Sequence, residues 1–104
     1  MSKPCELDFK VDDLAVGEMQ LVEACGREIV LCSTPTGVYA VDAVCTHALA
    51  FLDEGSLDGH EIECPLHGAR FDVVTGTVRK KPATEPLNTY RVTAAESLIC
   101  VWFG

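Results

Sequence analysis

Two short motifs, Cys45-Thr46-His47 and Cys64-Pro65-Leu66-His67, constrain this chain more than any other feature of its sequence. Each sets a thiol and an imidazole two or three residues apart, so that one tight loop can present both, and sixteen residues separate the motifs. Two such loops held face to face make a four-ligand metal site of Cys45, His47, Cys64 and His67. The rest of the chain reads as the scaffold that holds them there.

That scaffold reads as short strands and turns. Residues 5–10 alternate, with Leu7 and Phe9 on one face, before the polar turn at Asp12-Asp13. Residues 18–23 and 28–32 flank Cys25-Gly26-Arg27 as a hairpin, and Thr34-Pro35-Thr36-Gly37 turns the chain into a third strand at 38–41. Residues 11–16 are too short and acidic to be more than a turn. Between the motifs, residues 55–58 and 61–63 flank Gly59-His60, which makes a small hairpin spanning both loops. Phe71-Asp72, a Thr75-Gly76 turn and Thr77-Val78 follow the second motif.

Residues 81–86 carry two prolines, which lack the donor a strand ladder needs, so they form a stiff loop. Residues 89–93 alternate again, and 98–103 are almost continuously apolar, as in a strand buried on both faces. The pattern predicts an all-β fold, an antiparallel sandwich or small barrel, in a single domain spanning residues 1–104. Residues from about 42 to 70 would be an excursion that carries the metal.

Charge and cysteine count limit the function. Lysine plus arginine number 8 against 16 aspartate plus glutamate, a formal charge of -8, which argues against nucleic acid and anionic membranes and favours a partner with a basic docking face. No apolar run approaches the roughly 18 residues of a membrane span, and no export signal follows Met1, so a soluble cytoplasmic protein is expected. In that reducing setting Cys45 and Cys64 would serve the metal, and Cys5, Cys25, Cys32 and Cys100 would be buried free thiols. His60, in a hairpin turn, is expected to be a solvated surface residue.

The order of the ligands says which metal. Structural zinc usually pairs like with like, two cysteines and later two histidines. Here each loop carries one of each. Opposite loops can then contribute their cysteines to one metal and their histidines to another, which suits a binuclear 2Fe-2S cluster with two histidines on one iron. A zinc-stabilised interaction module remains the alternative use of the same four residues.

Cys45-Thr46-His47 and Cys64-Pro65-Leu66-His67-Gly68, followed by Phe71-Asp72 and Thr75-Gly76, resemble the Rieske family, and the likeness runs through most of the chain. At this length, and standing alone, the chain is similar to the small Rieske ferredoxins of bacterial multicomponent aromatic-ring dioxygenases. The resemblance implies one Rieske 2Fe-2S cluster, with Cys45 and Cys64 on the inner iron and His47 and His67 on the outer. It implies an electron carrier between a flavoprotein ferredoxin reductase and a terminal oxygenase, expected to act as a monomer. It implies no catalysis by the chain itself, and no substrate pocket, catalytic base or nucleophile is evident. A small subunit of a nitrite reductase type complex, which shares this fold, is the other family reading. The loop at Pro82 to Pro86 is placed like the family's proline loop, which packs over the cluster.

Replacing two thiolates by neutral imidazoles makes the oxidised core formally neutral, so an added electron costs less and the potential rises into a range of about -150 to +300 mV. High-potential members of the family carry two further cysteines, a serine and a tyrosine around the cluster. Ala50, Leu66, Ala69 and Phe71 stand in the corresponding places and can neither staple the loops nor donate to sulfur, which predicts a low-potential centre. Ala48-Leu49-Ala50-Phe51-Leu52, with Leu66 and Ala69, would form either an apolar docking patch rimmed by Asp53, Glu54 and Glu85 or a lid over the cluster.

Overall fold

Strand β3 (Arg27–Thr34) is buried along nearly its whole length, and its two faces feed two different cores. Ile29 and Leu31 point one way and pack with Leu7, Ala24, Ala40, Ile99 and Val101. Val30 and Cys32 point the other way and pack with Val41, Leu52, Ile62, Phe71 and Leu87. Strict alternation along one strand therefore joins two layers.

The computed structural model describes residues 4–46, 49–81, 83–96 and 98–103, and for Phe9 and Ala95 the backbone alone. A six-stranded antiparallel sheet runs in the order β1 (Pro4–Lys10), β10 (Leu98–Trp102), β9 (Thr89–Ala95), β4 (Gly37–Asp42), β3 and β2 (Met19–Ala24). A second sheet runs β5 (Ser56–Asp58), β6 (Glu61–Glu63), β7 (Arg70–Asp72) and β8 (Val78–Lys80). The predicted all-β architecture is what the chain adopts, and the second sheet extends to Lys80. Residues 11–16 contribute only the 3-10 turn Val11–Asp13. Among the described residues no helix is long and apolar enough to cross a membrane.

One expectation fails at the sheet edges. Cys5 and Cys25, expected as buried free thiols, are joined in a disulfide, their Cα atoms 6.1 Å apart. Cys5 lies on β1 and Cys25 in the turn after β2, the two outer strands of the six-stranded sheet. The sheet curls until its free edges meet, and the disulfide ties them. Neither cysteine's local sequence signals this, because the pairing exists only once the sheet has closed. Cys32 and Cys100 are free and buried as expected. Burial pushes the Cys32 thiol up to about 12, so it stays protonated and inert at neutral pH.

The disulfide closes a loop of sequence separation 20. A loop of that length restricts the unfolded chain by about 3 kcal/mol. Cys25→Ser, at the exposed end of the bridge, should therefore lower the melting temperature by on the order of 10 °C. Thermal melting of the variant beside the oxidised parent checks this, and equal melting would show that the bridge adds nothing to stability.

The sheets are also joined by polar contacts. His60 is half-buried rather than solvated: its Nε2 lies 2.8 Å from the Thr36 hydroxyl, which in turn lies 2.9 Å from the Tyr39 hydroxyl. The His60 and Tyr39 rings meet edge to face. The β5–β6 turn is thereby fastened to the β3–β4 turn, which orients the second sheet on the first.

Candidate metal centre

Both motifs sit at the tips of ladders closed in the same way. In the first loop the Leu52 amide donates to the Ala43 carbonyl, Val44 and Phe51 form a bridge, and the Cys45 amide donates to the Ala50 carbonyl at 3.0 Å. In the second, Glu63 pairs with Arg70, and the Cys64 amide donates to the Ala69 carbonyl at 2.8 Å. Each cysteine is clamped by an alanine five residues on, so both cysteines lie at the bases of their loops. Cys45 is 4% exposed and Cys64 1%. His67, two residues into its turn, is exposed.

The second tip reverses through two left-handed residues, His67 at φ 67° and Gly68 at φ 72°. A non-glycine residue in that region is uncommon and is sustained only by its surroundings, a feature that clusters at functional sites. Gly68 is required by its conformation. A side chain there would meet only Lys80 Nζ, at 3.9 Å.

The two cysteines come together. The Cys64 thiol is pushed up first by burial and then by its hydrogen bond with Cys45 and that neighbour's charge, while the Leu66 amide, which donates to it, pulls the other way. A thiol held as Cys64 is resists ionising unless a cation joins it. The shared surroundings of the two cysteines include Ala50, Leu52, Ala69, Phe71 and Ala83. Such a pair suits a soft metal centre with a buried sulfur side, and the exposed imidazole of His67 suits a solvent-facing side. His47, Ala48 and Pro82 lie outside the described residues. Among the described residues no three of His, Cys, Asp or Glu converge on one ion position.

The shell around the loops sorts the apolar patch into lid and surface. Leu52, Ala50 and Ala69 are buried, and Phe51 is half-buried against the same core. Leu49 is 98% exposed, and Leu66 and Pro65 are exposed as well. Ala69 therefore belongs to the lid and not to a docking patch. Of the three expected rim acids, Glu54 and Glu85 are exposed; Asp53 is half-buried, with one carboxylate oxygen that has no hydrogen-bond partner among the described residues. The Thr46 hydroxyl donates to the Glu85 carbonyl at 2.8 Å, tying the first loop to the proline-containing loop. The Leu66 amide and the Glu85 carbonyl are backbone groups and left no signal in the sequence.

Residues 6–91 match the model of the Rieske [2Fe-2S] domain. The chain belongs to the Rieske [2Fe-2S] family, and the cofactor of that family is one 2Fe-2S cluster. Within it, the chain is 44% identical over 82 residues to the ferredoxin component of the naphthalene 1,2-dioxygenase/salicylate 5-hydroxylase systems of Ralstonia sp., covering 79% of each. Its structure superposes on the ferredoxin of carbazole 1,9a-dioxygenase from Nocardioides aromaticivorans with a TM-score of 0.89, at 35% identity and 95% and 96% coverage. It also superposes on a solved complex of reduced oxygenase and oxidised ferredoxin of carbazole 1,9a-dioxygenase, with a TM-score of 0.84 at 35% identity, covering 88% of this chain and 95% of that one.

Proposed function

We propose that the chain is the ferredoxin of an aromatic-ring dioxygenase system, a soluble cytoplasmic single-domain carrier of single electrons from a flavoprotein reductase to a terminal oxygenase. The observation that carries this reading is the meeting of two buried thiols at the bases of equally clamped loops, with an exposed histidine on the tip of one. Cys45 and Cys64 would hold the inner iron of the 2Fe-2S cluster, and His47 and His67 the outer. When bound, the cluster supplies reversible one-electron chemistry.

The chain's own residues do the rest. Leu52, Ala50, Ala69 and Phe71 exclude water from the sulfur side. The Leu66 amide donates to the Cys64 sulfur and so stabilises its anionic form. Thr46 holds the proline-containing loop against the first ligand loop. His67, Leu66 and Leu49 stand in solvent, where a partner can approach.

Ala50, Leu66, Ala69 and Phe71 offer no side-chain donor to sulfur, so the reduced, more negative state gains little side-chain stabilisation. A potentiometric titration should give a midpoint toward the low end of the Rieske range, about -150 mV. A midpoint well above zero would show that donors other than these side chains dominate. The carrier role is tested directly by mixing the reduced protein with a purified aromatic-ring oxygenase component. Reoxidation within the oxygenase's turnover time is the expected result, and failure across oxygenases of this class would overturn the assignment.

A further inference from the structure

We propose that Lys80 is a charge built in beside the second ligand loop to ease reduction of the site; the inference rests on the cluster reading above. Three observations converge on it. The β7–β8 register pairs Arg70 with Lys80, which brings the end of β8 back alongside the chain that leaves the loop of Cys64 and His67. There the Lys80 Nζ stands 3.9 Å from where a side chain at Gly68 would begin, next to the residue that follows His67. Its pairing also differs from that of the neighbouring cations. Arg70 is held by Glu63 at 2.8 Å and Glu61 at 3.3 Å, and Arg79 faces Glu61 at 3.8 Å and Asp72 at 3.9 Å. Among the described residues no ion pair is formed by Lys80.

The physical consequence has a definite sign. One-electron reduction adds a negative charge at the site, and a nearby ammonium lowers the energy of the reduced form more than that of the oxidised form. In a chain of formal charge -8 the surrounding field opposes reduction, so an ammonium near the ligand loop acts against that background. Lys80 is exposed, so its influence passes partly through solvent and is weakened by salt. It is not one of the residues expected to bind the cluster. It is a tuning residue that acts through charge.

The test is the midpoint potential of the purified holoprotein and of Lys80→Arg, Lys80→Gln and Lys80→Glu, each measured at low and at about 1 M ionic strength, where the Debye length shrinks to about 3 Å. The visible spectrum and melting temperature serve as controls for an intact site. The Arg variant should keep the parent midpoint and the Gln variant should fall below it. The Glu variant should fall about twice as far as Gln, since it changes two units of charge instead of one. All differences should contract in high salt. Gln and Glu variants with intact spectra and unmoved midpoints would overturn the role of Lys80 alone. A parent protein without an iron–sulfur spectrum would overturn the cluster reading and this inference with it.

Discussion

Cys64→Ser should abolish loading of the iron–sulfur cluster: the purified variant should be colourless, with iron content near background, while its far-ultraviolet circular dichroism remains that of a β protein. The reason is local. Cys64 is nearly inaccessible, touches Cys45 across the gap between the loops, and already has the Leu66 amide aimed at its sulfur. A serine oxygen is a harder and far less acidic donor, and it leaves a single thiolate where the inner iron needs two. Cys45→Ser should behave in the same way. Cys32→Ala supplies the contrast, since Cys32 lies in the same core with its thiol pushed up to about 12 and is not a ligand. That variant should lose some stability and keep its full iron content. Iron retained by Cys64→Ser, or lost from Cys32→Ala, would put the site in the wrong place.

The second large effect is on the scaffold. Gly76→Ala should destabilise the fold by more than about 2 kcal/mol, because the left-handed conformation alone costs roughly 1–2 kcal/mol for an L side chain and a steric clash adds to it. At Gly76, with φ at 80°, the new methyl would fall on the Leu87 carbonyl oxygen, which it would need to displace. That contact cannot open cheaply, since the Leu87 amide donates back to the Gly76 carbonyl at 2.9 Å and the Leu87 side chain is in the core. Gly26 is the internal control: its φ is 84°, and a side chain there would meet nothing within 4 Å. Gly26→Ala should therefore show only the conformational cost. Denaturant titration of both variants separates the steric part from the conformational part. Equal destabilisation would mean that the Thr75-Gly76 turn is not locked against Leu87.

Local pattern made most of the strands legible. Residues 5–10, 28–32 and 98–103 declare themselves by alternation or by continuous apolar character, and the observed β1, β3 and β10 follow them closely. The ligand loops were legible because Cys45, Cys64 and His67 are chemically rare residues in compact motifs. What sequence did not reveal depends on which surfaces meet. Cys5 and Cys25 bond because the two outer strands of a curled sheet converge, a fact about closure and not about either strand. His60 looks like a turn residue until the second sheet folds down onto Thr36 and Tyr39. Lys80 looks like one of several exposed cations until the β7–β8 register sets it beside Gly68. The Leu66 amide, being backbone, carries no residue-type signal at all.

Two thiolates and two imidazoles, one of each from either loop, would hold one binuclear iron cluster. The decisive measurement of that ligand set is electron paramagnetic resonance of the reduced protein, prepared with ordinary and with 15N-labelled histidine. A rhombic signal with the low average g value of a Rieske centre is expected, with couplings to two histidine nitrogens that change on labelling. A colourless, diamagnetic protein holding zinc, or a cluster signal without histidine nitrogen coupling, would overturn the Rieske ligand set.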